Sequence, residues 1–97
     1  MSANNQTLIK EYQGKWYVFA NVMAESWCDD NMEHVNEISL KAASAICETR
    51  DEAFERAWEL DKEFGEYGEG TEYGVQFNRL CKDDAEVKIV LAPDQTI

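Results

Sequence analysis

Thr49-Arg50-Asp51-Glu52-Ala53-Phe54-Glu55-Arg56-Ala57-Trp58-Glu59-Leu60-Asp61-Lys62-Glu63-Phe64-Gly65 is the stretch whose reading decides the fold. Thr49 followed three residues later by Glu52 predicts a capping box, in which the Thr hydroxyl accepts from the Glu52 N–H and the Glu52 carboxylate returns to the Thr49 N–H. Gly65 predicts a left-handed stop at the far end. At about 100° per residue, Ala53, Phe54, Ala57, Trp58, Leu60 and Phe64 share one face. Asp51, Glu52, Glu55, Glu59, Glu63 and Glu66 share the opposite one, with Arg56 and Lys62 at its edges. The expectation is one amphipathic helix with an apolar side turned to a sheet and an acidic stripe turned outward.

Upstream of the helix, Met1 to Gln6 reads as a loose polar start. Thr7 to Tyr12 alternates, with Leu8 and Tyr12 on one side and Ile9 on the other. Gln13-Gly14 is a turn signal, and Lys15 to Met23 is a strand whose apolar residues lie on both faces, as in the middle of a sheet. Residues 24–36 read as a long acidic loop. Glu37 to Ala43 alternates as a third strand; the alanine-rich run from Leu40 to Cys47 makes a short helix leading into the capped one the competing assignment. Downstream, Glu66-Tyr67-Gly68-Glu69-Gly70-Thr71-Glu72-Tyr73-Gly74 is a glycine-rich acidic loop. Tyr73 to Leu80 and Ala85 to Ala92 are two further strands joined through Lys82-Asp83-Asp84, with Val87, Ile89 and Leu91 facing inward. The predicted order is β-β-β-α-β-β. That is a single α+β domain over residues 1–97, one helix packed on a mostly antiparallel sheet of about five strands.

Ninety-seven residues suffice to bury roughly 60–70% of the surface an unfolded chain exposes. No signal peptide is readable and no apolar run reaches the length of a membrane span, so a cytoplasmic protein is expected. Cys28, Cys47 and Cys81 are an odd set without CxxC or zinc spacing, and they read as reduced thiols. Twenty acids against nine bases give a net charge of −11. Residues 25–37 hold Glu25, Asp29, Asp30, Glu33 and Glu37 with no Lys or Arg, a net of −5. Residues 48–72 hold ten acids against Arg50, Arg56 and Lys62, a net of −7, and the remainder sums to +1. The acidic excess therefore sits in two segments. Such a chain is repelled by nucleic acid and anionic membranes and attracted to basic protein surfaces.

The reactive constellations are thin. Asp29, Asp30, Glu33 and His34 lack the register and the glycine of an EF-hand loop, leaving weak divalent binding as the minor alternative to a solvated acidic loop. Gly65, Gly68, Gly70 and Gly74 follow a helix and carry negative charge, the reverse of a phosphate cradle. The carboxylates lie on an open face rather than in distinct environments within a pocket, and one Cys with one His is a poor basis for a thiol enzyme. No enzymatic activity, cofactor or metal is expected.

The acidic surface itself remains. Its ordinary reading is solubility, but Glu55–Glu59 and Glu59–Glu63 are like-charge pairs at i,i+4, each unfavourable by a few tenths of a kcal/mol. The flanking loops add aromatics, Trp27 on one side and Tyr67 on the other, of the kind that anchor interfaces. Asp29, Asp30, Glu33, Glu52, Glu55, Glu59, Glu63, Glu66, Glu69 and Glu72, with Trp27 and Tyr67, are the candidate partner-binding residues. Carboxylates four apart on a helix stand roughly 5–6 Å from one another. A DNA strand carries one charge per ~3.4 Å of axis, so such a row can stand in for phosphates.

On size, charge and layout, the whole chain resembles the small acidic phage proteins that mimic DNA. It is most similar among them to anti-CRISPR inhibitors of the type I-F surveillance complex. The resemblance implies occupation of the basic DNA-binding surface of Cas proteins in the host bacterial cytoplasm, with no direct contact to nucleic acid or membrane. The alternatives are an acidic interaction module such as an antitoxin or adaptor, and a small metal-binding protein or enzyme using His34 and Cys28.

Overall fold

The computed structural model describes residues 5–23, 37–65, 67–80 and 85–90. In chain order the elements are β1 (Asn5–Tyr12), β2 (Lys15–Met23), β3 (Glu37–Ser39), a 3-10 turn (Leu40–Ala42), β4 (Ala45–Cys47), α1 (Arg50–Asp61), β5 (Val75–Phe77), β6 (Arg79–Leu80), β7 (Ala85–Glu86) and β8 (Lys88–Val90). This is an α+β architecture with one helix on a mostly antiparallel mixed sheet. The main sheet has the order β4-β2-β1-β5, with β1 parallel to β5 and its other pairings antiparallel. Two small pairs, β3 with β8 (parallel) and β6 with β7 (antiparallel), contribute to the second face.

The hairpin forms where the alternation predicts it. Gln13 and Gly14 both have positive φ, 49° and 81°, the pattern of a two-residue type I′ turn that matches strand twist. Glycine adopts this conformation freely, whereas glutamine is less suited to it than asparagine. Gln13→Asn is therefore expected to raise the melting temperature by roughly 2–4 °C, equivalent to about 0.5 kcal/mol. A lower melting temperature in a thermal scan would show that Gln13 contributes a contact outweighing its backbone preference.

Residues 5 and 6 are not loose. Gln6 is fully buried, and its Nε2 donates to the Arg79 carbonyl at 2.8 Å, because a buried amide needs a partner. A register shift opposite Thr7 accompanies Asn21 at φ 58°, whose Oδ1 accepts from Asn5 Nδ2 at 2.7 Å. The two apolar faces of β1 and β2 then separate cleanly. Leu8, Tyr17 and Phe19 pack with Leu40, Leu80 and Val87, while Ile9 and Val18 pack with Ala53 and Ala57 of the helix. Interior position in the sheet explains why neither face of β2 is polar.

Three expected strands are broken up. The third stops at Ser39, whose hydroxyl accepts from the Lys41 N–H at 3.3 Å and opens the 3-10 turn that drops Leu40 into the core. The alanine-rich run is thus divided between that 3-10 turn and β4, and is neither a continuous strand nor a continuous helix. Residues 73–80 break at Asn78, which has φ 68°. Its N–H donates to the Ile9 carbonyl and its own carbonyl accepts from Val87. That last bond carries the β6–β7 register one residue further, after which the chain changes partner and pairs with β3 as β8. Val87 is buried and Ile89 packs against the same cluster, as expected, while Leu91 lies outside the described residues.

Thr49 caps α1, its hydroxyl accepting from the Glu52 N–H at 3.1 Å. The helix ends at Asp61, short of the stop expected at Gly65. Glu63 and Phe64 donate back to Leu60 and Asp61 in a tightened last turn, and Gly65 (φ 89°) then leads the chain away. The rotational setting also differs from the expectation. Ala53 and Ala57 are fully buried and Leu60 is half-buried, but Phe54 and Trp58 are 46% and 54% exposed. Two alanines let the helix backbone settle closely on Ile9 and Val18, and the bulky aromatics are displaced to its flank.

Candidate functional site

Glu52, Glu55, Glu59 and Glu63 are all exposed on the outer arc of α1 and its last turn. At 1.5 Å per residue the row extends about 16 Å along the axis. The cation within it is Arg56, whose Nη1 lies 3.4 Å from Glu59 Oε2 with both side chains more than half exposed. Such a pair is screened and contributes little. Among the described residues Glu52, Glu55 and Glu63 have no ion-pair partner, so the repulsion along the row is largely uncompensated.

Beside this row runs a stripe of Arg50, Phe54, Trp58 and Lys62, each one turn apart, whose two aromatics the periodicity misassigned to the core. Phe54 lies parallel to Phe77 of β5, with ring centroids 6.3 Å apart and 2° between the planes. The Arg50 guanidinium sits 4.2 Å from the Phe77 centroid, and the Lys62 ammonium 3.9 Å from the Trp58 ring. Phe54, Glu55, Trp58 and Glu59 line an open cleft of about 250 Å³ where stripe and row meet.

The loop after the helix is held by a buried carboxylate that the sequence reading passed over. Asp61 is 7% exposed, and its Oδ1 accepts from Thr7 Oγ1 at 2.7 Å and from Thr71 Oγ1. Gly70 packs against the other oxygen so closely that a Cβ there would collide with it. The signal was present, because Asp61 falls one turn beyond Ala57 on the buried arc.

The expected site residues divide into four groups. Glu52, Glu55, Glu59 and Glu63 form the single row described above. Tyr67 (89% exposed) and Glu69 lie in the loop beyond it, where the Glu69 carboxylate accepts from the Tyr67 N–H at 2.8 Å. Glu72 is exposed, but its N–H donates to Asn5 Oδ1, which places it at the start of β1 rather than in the helix row. Trp27, Asp29, Asp30, Glu33 and Glu66 lie outside the described residues, as do Cys28, His34 and Cys81. Cys47 is half-buried in β4; burial, then the Glu52 carboxylate, push its thiol pKa up and disfavour the nucleophilic thiolate.

Among the described residues no group of three metal-ligating side chains is clustered, and no helix is long and apolar enough to cross a membrane. Comparison of the chain with protein-family models, curated proteins and solved structures found no match.

Proposed function

We propose that this chain is a binding protein that occludes a basic, nucleic-acid-binding surface, presenting carboxylates in place of phosphates. The observation that supports this reading is the exposed row Glu52-Glu55-Glu59-Glu63, kept acidic despite the repulsion within it. A basic channel evolved to accept DNA attracts such a row at long range and docks it quickly at low salt. Following the resemblance in size, charge and layout, the proposed target is a CRISPR–Cas surveillance complex of type I-F, met in the host cytoplasm and blocked from its target duplex. No residue is assigned a catalytic role.

A second reading, an antitoxin or adaptor that covers one basic protein, draws support from the exposed Phe54 and Trp58, which phosphate mimicry alone does not require. Capture from bacterial lysate on the immobilised protein separates the two. Mimicry is expected to yield a nucleoprotein complex that is displaced by added duplex DNA. Its recovery should fall roughly tenfold or more between about 50 and 200 mM salt. A single small partner that resists both salt and DNA would overturn mimicry in favour of the second reading. The target itself is tested by gel shift, and undiminished duplex binding by a purified type I-F complex at micromolar protein would exclude it.

A further inference from the structure

We infer that the cleft between Phe54 and Trp58 is an arginine pocket. In it Glu55 and Glu59 pair the guanidinium of a partner's arginine side chain while its plane lies on an aromatic face. The inference rests on the acidic-surface reading and specifies the partner chemistry that surface takes. Ala53 and Ala57 make the buried contact with the sheet, and Phe54 and Trp58 stay about half exposed although Phe54 stacks on Phe77 and Lys62 lies over Trp58. The cleft, at about 250 Å³, falls below the roughly 300–1,000 Å³ of small-molecule sites, and it is open, which suits one inserted side chain.

Charge complementarity selects the occupant. A phosphate or a carboxylate is repelled by Glu55 and Glu59. An apolar side chain would strip water from both carboxylates without pairing them. A cation satisfies the acids and the electron-rich ring faces together. The chain already uses the same chemistry at both ends of the stripe, with Arg50 over Phe77 one turn before the cleft and Lys62 over Trp58 one turn after it. Glu59 is engaged by Arg56 through one long contact to Oε2, and Glu55 has no ion-pair partner among the described residues. Arginine is favoured over lysine because its flat guanidinium stacks on a ring while its edge donates to two carboxylate oxygens.

The test is an NMR titration of the ¹⁵N-labelled protein with the tripeptides Gly-Arg-Gly, Gly-Lys-Gly and Gly-citrulline-Gly, citrulline being the neutral isostere of arginine. Gly-Arg-Gly is expected to give saturable shifts at millimolar concentration, centred on residues 54–59 and the Trp58 indole N–H. It should bind about fivefold more tightly than Gly-Lys-Gly, and the citrulline peptide should not saturate. Trp58→Leu, which keeps apolar bulk without the ring, should erase the preference for arginine. Equal shifts from arginine and citrulline peptides, an unchanged preference in Trp58→Leu, or shifts spread evenly over residues 67–74 would each overturn the pocket. Such a failure leaves the acidic-surface reading standing, because that reading is measured separately by salt-dependent capture. Conversely, capture indifferent to salt would sink the acidic-surface reading while the titration still reported on the cleft.

Discussion

Replacing Asp61 with alanine is expected to lower stability by about 3–4 kcal/mol and the melting temperature by roughly 15–25 °C, the largest effect of any single substitution proposed here. The carboxylate is buried and joins three parts of the chain: its own helix end, Thr7 in β1 and Thr71 in the following loop. No buried side-chain polar atom among the described residues lacks a partner. Truncation would leave the fully buried Thr7 hydroxyl without its acceptor and open a gap beside Gly70. Asp61→Asn keeps an acceptor for both hydroxyls but loses the charge, and should recover about half of the loss. Amide exchange provides a local readout. The Gly70 N–H, bonded to the Phe64 carbonyl, and the Tyr73 N–H, bonded to the Asn5 carbonyl, should lose protection ahead of β1 and β2. A fall of less than about 5 °C in Asp61→Ala would show that water replaces the carboxylate at little cost, and that the loop is held by its glycine conformations instead.

Helical period places Asp61 on the buried arc, but its partners Thr7 and Thr71 lie outside the helix, beyond the reach of that pattern. The capped start of α1, the hairpin and the interior position of β2 were legible because each depends on neighbours in sequence: a hydroxyl three residues from an N–H, two turn residues between alternating runs, apolar residues on both faces. The rotation of the helix was not, because the periodicity treats Phe54 and Trp58 as better core residues than Ala53 and Ala57. Close approach to the sheet reverses that order, since a backbone settles nearest where side chains are smallest. The same substitution of size for hydropathy hid the exposed stripe that forms half of the proposed pocket. The strand breaks were partly legible, since asparagine tolerates the left-handed conformation found at Asn78. The parallel pairings of β1 with β5 and of β3 with β8 join segments far apart in sequence, and no local pattern encodes them. Of the candidate site, the acidic row was readable because outward charge follows helical period. The conformation of the loop beyond it depends on the buried Asp61 contact.

Reversing Glu55, Glu59 and Glu63 together to lysine is expected to weaken capture of a basic partner by about 100-fold. Each reversal removes one attraction and adds one repulsion. At rim-like pair energies of roughly 0.2–1 kcal/mol, the three together change binding by about 3 kcal/mol. All three side chains are exposed, and the variant exchanges one set of like charges at i,i+4 for another, so its fold should be nearly as stable as the parent's. The one local loss is the exposed Arg56–Glu59 contact. Neutral Gln at the same positions should fall between, near tenfold, because it removes attraction without adding repulsion. Salt supplies the stricter criterion: the parent's affinity should decline as ionic strength rises, the lysine variant's should not, and the two should converge at high salt. A variant defective through misfolding would stay weak at every salt concentration, so convergence attributes the effect to charge on this face. Capture at full strength by the lysine variant would make the helix row irrelevant. The interaction would then have to be sought in residues 25–37, where Trp27, Asp29, Asp30 and Glu33 carry the other concentration of acid.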